Sequence, residues 1–226
     1  MKSEKFELSK ESRIILNSLK PVVKGIATVF GKNCEVVLHS LEDISHSIIK
    51  VENGYITGRK EGAPLTDLGL NILEKADSLN NDVIGNYYTK IDNGRLLRSV
   101  TIVIRNARNK PIGFLCINID ISVPLADFLN EFSPAGKHIS SNVEEFFPLT
   151  AKDLVEKSLR SAISKVNSQR KISPSERNKK IVGDLYKKGI FEIKGAINMV
   201  ADEMGISRYT VYNYIREMKV KKSRKV

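Results

Sequence analysis

Two hydrophobic rhythms alternate along the chain, and the points where they change divide it into elements. Between Leu8 and Phe30 the apolar residues Ile15, Leu19, Val22, Val23, Ile26 and Val29 recur at three- and four-residue spacing, which is one face of a helix. Pro21 has no N–H to donate, so the pattern predicts two short helices stopping at Gly31. From Asn33 the rhythm shortens to that of a strand. Cys34 to Leu41 and Ser47 to Val51 predict two strands, and Asn53-Gly54 predicts a tight hairpin turn, because both residues accept positive φ. Pro64 to Ala76 returns to a helical rhythm, with Leu65, Leu68, Ile72 and Leu73 on one face. A second pair, Asn93-Gly94, separates Tyr87–Ile91 from Arg95–Ile104, and Asn109-Lys-Pro111 turns into Ile112–Asp120. The last two runs are β-branched and apolar on both faces, which predicts central strands.

Five short antiparallel strands, with helices inserted after the second and packed over one face, make the plan of a PAS-type sensor domain. Leu125 to Phe147 is helical in texture with a break at Ser133-Pro134. Thr150-Ala-Lys-Asp153 has the form of a capping box, in which hydroxyl and carboxylate cover the orphan N–H groups of a helix start. The stripe that follows, Val155, Leu159, Ala162, Ile163 and Val166, leaves two roles open: a dimerisation or signalling helix, or a helix packed on its own domain. Asn167 to Glu176 is polar and reads as a linker. The expected fold class is α+β, with a PAS-like sensor domain over 1–132, a helical connector and linker over 133–173, and an all-α helix-turn-helix domain over 174–226.

The last of these rests on residue spacing. Ser175 to Lys188 is amphipathic, with Ile181, Leu185 and Tyr186 inward, and ends at Gly189. A helix-turn-helix then needs a small residue where two helices cross, a residue that tolerates the turn, and apolar residues at fixed offsets. Counting from Ile197, the fifth residue is Ala201 and the ninth is Gly205. Val200, Met204, Ile206, Val211 and Tyr214 fill the buried positions, and Ser207 stands where the second helix needs its cap. A plain αα-hairpin explains the apolar positions but not the charge around them. Helical phase puts Val211, Tyr214, Ile215 and Met218 inward, with Tyr209, Asn213 and Arg216 outward and Tyr212 at the edge. Asn pairs with an adenine edge and Arg with guanine in the major groove, which makes Asn213 and Arg216 candidate base readers. Ser207, Arg208, Thr210 and the helix start are placed for phosphates. The basic tail Lys219 to Lys225 either follows the DNA backbone or is a frayed, solvated end.

Charge sharpens this picture once it is located. The chain of 226 residues carries a formal net charge of +11, and 19 of its 37 Lys and Arg lie beyond Pro148 against 8 of its 26 acids. The first 148 residues are therefore neutral overall, and the whole excess sits in the last third. A polyanion partner follows for that part: nucleic acid first, an anionic membrane surface second. The two cysteines are far apart and the three histidines lack ligand spacing, so neither a disulfide framework nor a metal site is indicated. The N-terminus is charged, and no apolar run approaches the roughly 20 residues that span a bilayer, so a cytoplasmic protein without membrane association is expected.

Several stretches carry a family resemblance: Asn33-Cys-Glu-Val-Val-Leu-His39, Thr57-Gly-Arg-Lys60, Gly94-Arg-Leu-Leu-Arg-Ser99, Ile112-Gly-Phe-Leu-Cys-Ile-Asn118, Lys194-Gly-Ala196 and Thr210-Val-Tyr-Asn-Tyr214. Through them the chain resembles, over nearly its full length, the YheO-like regulators, a group that includes a D-arginine utilisation repressor. The resemblance implies a DNA-binding regulator responsive to a small metabolite. It supplies no effector, because sensor domains change ligands within one fold.

Polar residues on otherwise apolar strands are the places to look for that effector. Asn118 sits between two isoleucines, and Ser99 and Thr101 share one strand face. Arg59, Arg95 and Arg98 are candidates to hold a carboxylate bidentately, and Asp67 to receive an amino group, which together suit an amino-acid-like ligand. Each has a plainer role available, Asn118 tying down a turn and the arginines forming surface pairs. Cys34 and Cys116 are either a redox pair or small buried hydrophobes, and His39 either a ligand or a structural residue. No phosphate loop, paired acids or nucleophile elbow is present, so no cofactor, metal or catalytic residue is expected. The reading is a metabolite-controlled, homodimeric regulator of double-stranded DNA. The alternative is a ligand-independent regulator whose PAS-like domain is a dimerisation or docking module.

Overall fold

The computed structural model describes residues 7–78, 81–92, 94–133, 145–168 and 173–223, and the chain forms two units, Met1–Ser140 and Ser141–Val226. In the first unit one helix, α1 (Lys10–Phe30), replaces the two expected, with Pro21 inside it. Pro21 and Asn17, whose carbonyl loses its donor, are both exposed, so the missing hydrogen bond is left to water. Burial of Leu16, Val23 and Ala27 on either side of the proline holds both halves to the same sheet. Ser9 caps the start through Ser12 N, and Gly31 closes the end at φ 76°.

Five strands follow: β1 (Cys34–Ser40), β2 (Ile48–Glu52), β3 (Val83–Lys90), β4 (Leu96–Arg105) and β5 (Pro111–Asp120). They form one antiparallel sheet in the order β2-β1-β5-β4-β3, so β4 and β5 are interior strands as their composition predicts. Alternation sorts the side chains onto two faces. Cys34, Val36 and Leu38 of β1 join Leu115, Ile117 and Ile119 of β5 under α1. There α1 comes so close that a Cβ on Gly113 would meet Leu16 at 2.6 Å and the His39 carbonyl at 2.3 Å, which requires glycine.

The opposite face carries Val103, Phe114 and Cys116, and is covered by the loop 53–66 and by α2 (Asp67–Lys75). Helices therefore lie on both faces rather than one. Asn53 does take positive φ, at 55°, but the chain does not return from it as a strand. Instead the Asn53 amide donates to the Gly31 and Cys34 carbonyls, and the loop folds back so that Gly62 N donates to Ile48 O and Ile48 N to Ala63 O. Within α2, shorter than its sequence pattern, Ile72 is buried while Leu68 is exposed. Asn93 lies outside the described residues, although β3 and β4 pair as expected. After β5 comes a short helix, α3 (Leu125–Asn130); Pro134 is outside the described residues.

The second unit is all helical: α4 (Ala151–Asn167), α5 (Pro174–Lys187), α6 (Ala196–Glu203) and α7 (Arg208–Ser223). Thr150 and Asp153 form the reciprocal capping box at the start of α4. Val155, Leu159, Ala162 and Val166 of α4 pack with Ile181 and Leu185 of α5 and Ala196 and Val200 of α6. The helix read as connector thus supplies part of this unit's core. Of the polar linker, residues 169–172 are outside the described residues, and Ser173 with Pro174 already caps and begins α5.

Candidate functional site

Between the β-sheet and the cover formed by loop 53–66 and α2 lies a cavity of about 260 Å³. At liquid density that volume holds roughly nine waters, which is the size of a small metabolite. Its floor is the face of the sheet carrying His39, Leu97, Ser99, Thr101, Phe114, Cys116 and Asn118; around it stand Tyr87 and Thr89 of the edge strand, the capping residue Thr66, and Asp67 to Gly69 of α2. Strand period two is what gathers these residues, since every second position of three neighbouring strands points the same way.

A buried carboxylate organises one end. Glu35 has no exposed surface, yet it accepts from Arg59 Nη2 at 2.8 Å, from Asn118 Nδ2 at 2.7 Å and from the Thr57 hydroxyl. Arg59 also donates from Nε to Thr57 Oγ1 at 2.9 Å, so the loop is fastened to the sheet by a paired charge with its hydrogen bonds in place. Among the described residues no protein acceptor takes the Nη1 hydrogens of Arg59. His39 Nδ1 meets Ser47 Oγ at 2.8 Å, and burial, assisted by the Arg59 charge, lowers its pKa to about 4. Tyr87 OH meets Thr101 Oγ1 at 2.8 Å, and Thr101 lies 3.5 Å from the Cys116 sulfur. Burial raises the Tyr87 and Cys116 pKa values, so near pH 7 the sheet side of the cavity offers neutral hydroxyls, a neutral imidazole and a thiol beside the Arg59–Glu35 pair.

Of the residues singled out in the sequence, Arg59, Asp67, Ser99 and Asn118 line this cavity. Asp67 is exposed at the rim, as the first residue of α2. Arg98 does not belong with them. It is the strand neighbour of Ser99, so alternation turns it to the other face, where its Nε donates to Asn86 Oδ1. Arg95 pairs with Asp120 at 3.4 Å, away from the cavity. Cys34 and Cys116 are on opposite faces of the sheet, which excludes a bond between them; burial raises the Cys34 pKa to about 11. Glu35, Thr57 and Tyr87 escaped the sequence reading. The alternation Glu35, Val37, His39 was the available sign that the acid shares a face with the other polar groups. Among the described residues, no cluster of three potential metal ligands exists and no helix is long and apolar enough to cross a membrane.

The second site is on α6 and α7. At the end of α6, Ile206 N donates to Ala201 O and Gly205 N to Asp202 O, while Gly205 sits at φ 62°. These two bonds are a Schellman closure, which needs a left-handed residue and fixes the angle at which α7 departs. Ser207 Oγ accepts from Thr210 N at 3.1 Å and meets Thr210 Oγ1 at 2.9 Å, capping α7. Val211 and Ile215 are buried against Val182 and Ala201, with Ile206 and Tyr214 packed beside them. The outward arc consists of Arg208, Tyr209, Tyr212 and Arg216, all exposed, with Asn213 half-buried and accepting from Arg216 Nη2 at 3.2 Å. The basic tail from Lys221 onward lies outside the residues whose side chains are described.

Comparison with known proteins agrees with both halves. Residues 9–134 match the YheO-like PAS domain family and residues 158–216 match a helix-turn-helix domain family. The second match begins within α4, in keeping with the core that α4 completes. An uncharacterised protein of Haemophilus influenzae is 42% identical over 96% of this chain and 97% of its own. The uncharacterised protein YheO of Escherichia coli K12 is 44% identical over 91% and 85%. The transcriptional regulator DauR of Pseudomonas aeruginosa is 28% identical over 90% and 94%.

Proposed function

As the chain belongs to the family of proteins with a YheO-like PAS domain and a helix-turn-helix domain, we propose that it is a sequence-specific transcription regulator controlled by a small metabolite in its PAS cavity. The observation that carries the DNA-binding half is the α6–turn–α7 unit, closed by Gly205, capped by Ser207 and left with an exposed polar arc. In this reading α7 enters the major groove. Asn213 and Arg216 read base edges, Tyr209 and Tyr212 contact bases or sugars, and Ser207, Arg208 and Thr210 set the register on phosphates. One such unit reads only a few base pairs, so two copies act on half-sites about 10–10.5 bp apart. The role of DauR, a relative at 28% identity, supports the same reading.

The sensor domain extends through the end of the first unit, and α4 works with the DNA-binding helices. The effector is amino-acid-like: its carboxylate takes the unused Nη1 edge of Arg59, its ammonium faces Asp67, and Ser99 and Asn118 take the remaining polar groups.

Two measurements test this. Affinity for the protein's own upstream DNA should fall steeply with salt; Asn213→Ala should flatten discrimination between operator and mutated operator, while Arg208→Ala should weaken both about equally. Salt-independent binding, or no preference for that DNA, overturns the DNA assignment. For the cavity, a saturable rise in melting temperature with an amino acid should disappear in Arg59→Met. Regulation without any such rise favours the ligand-independent docking module instead.

A further inference from the structure

The polar groups on the cavity face of the sheet lie in rows across its strands. Register sets Glu35, Asn118 and Ser99 abreast on three neighbouring strands, and Arg59 joins this row through Glu35. Two rows further along the same face, His39 stands beside Phe114. Residues on one face of a strand are about 6.7 Å apart, so about 13 Å of strand separates His39 from the first row. The head group of an amino-acid effector uses the first row and Asp67, and His39 is left over.

His39 is 1% exposed, and its ring forms part of the cavity wall. The Ser47 hydroxyl donates to the Ala63 carbonyl at 3.5 Å, so it meets His39 Nδ1 as an acceptor and the imidazole proton belongs on Nδ1. Nε2 is left with a bare lone pair. Ser47 adjoins Ile48 of the edge strand β2, the partner of His39. Nδ1 therefore faces the sheet edge, and Nε2, across the ring, turns toward the cavity. Among the described residues no donor reaches it.

A buried acceptor pressed against a C–H group or a carboxylate is costly, whereas an N–H donor satisfies it. Charge narrows the kind of donor. The charge that acts on His39 is the Arg59 cation, and the acids at the cavity are already used: Glu35 by Arg59, Thr57 and Asn118, and Asp67, at the exposed rim, by the effector's ammonium. A guanidinium or ammonium brought to Nε2 would lose its water beside a like charge. A neutral amide or ureido N–H bears no such cost. Length narrows it further. Taking one hydrogen bond of about 3 Å from about 13 Å of strand leaves roughly 10 Å between head group and donor, which a long side chain spans and a short one does not.

We propose that His39 Nε2 is a specificity-determining acceptor of this cavity, and that the effector is an amino acid whose long, uncharged side chain ends in an amide or ureido N–H received there. The proposal rests on the amino-acid reading of the cavity and adds the class of side chain.

Calorimetric titration of the full chain with citrulline, arginine and norleucine, each as the L and the D form, tests it. Citrulline matches arginine in length without the charge, and norleucine lacks the donor. Citrulline, in its better-bound form, should bind about tenfold more tightly than either of the others. In His39→Phe the preference for citrulline over norleucine should vanish. A second readout leaves His39 in place: in a ¹⁵N-labelled chain carrying His46→Gln and His138→Gln, His39 should show its proton on Nδ1, and citrulline should move the Nε2 resonance upfield while norleucine does not. Arginine or norleucine binding as tightly as citrulline overturns the proposal, as does an Nε2 resonance that citrulline binding leaves in place; in both cases the amino-acid cavity stands. No binding by any of the three in either form removes the amino-acid reading and the proposal with it.

Discussion

At the scale of single residues the first unit is governed by polar groups that are buried and satisfied. His39 is held neutral, with a pKa near 4 against an ordinary value near 6.5. A base whose pKa is depressed by folding contributes stability above the unfolded value and loses it as pH falls through the folded one. The wild type should therefore lose about 3 kcal/mol relative to His39→Gln between pH 7 and pH 4, read by urea denaturation at each pH. A constant difference across that range would mean the imidazole is charged or hydrated in the fold. Residue chemistry was legible in part. Arg59, Ser99 and Asn118 stand out as polar residues in apolar surroundings, and they do meet in the cavity. Arg98 stood out for the same reason and faces the other way, an outcome that its place next to Ser99 already implied. Glu35 did not stand out, because a sequence does not show that its partners, Thr57, Arg59 and Asn118, arrive from 22 to 83 residues away.

At the scale of elements, boundary chemistry was the readable part and packing the unreadable one. The capping box at Thr150, the stop at Gly189 and the turn at Gly205 were all visible as residue types in order. Pro21 was misleading because proline breaks a helix only where the lost bond is not replaced by water or by packing, and here both are at hand. Asn53-Gly54 misled similarly: positive φ is realised, but the asparagine amide is drawn to the carbonyls of Gly31 and Cys34, so the turn serves a loop and no hairpin. For α6 and α7, Gly205→Ala should cost about 1–2 kcal/mol in the stability of the helical unit, the strain of a left-handed alanine. It should lower DNA affinity beyond that of an equally destabilising core change such as Ile215→Val, because it alone alters the departure angle of α7. Equal loss from both would mean that the turn contributes stability only.

At the scale of the whole molecule, the two units have separate cores, and the boundary between them falls before α4 rather than after it. A fragment over 145–226 should keep cooperative thermal unfolding and helical circular dichroism. A fragment over 174–226 should lose the cooperative transition, because Val155, Leu159, Ala162 and Val166 leave Ile181, Leu185 and Val200 uncovered. A cooperative 174–226 fragment would show α4 to be dispensable. Polarity alone marked the linker in the sequence, and the stripe on α4 matched a connector and a core helix equally well, since periodicity states that a face is apolar and not what it meets. The two faces of β5 have a further meaning for descent. Its even positions, Cys116 and Asn118, look into the cavity, while its odd positions, Leu115, Ile117 and Ile119, look toward α1. Lineages can therefore retune what the cavity accepts, one even codon at a time, without disturbing the other side. A single-codon deletion in the same strand would exchange the two inheritances at a stroke.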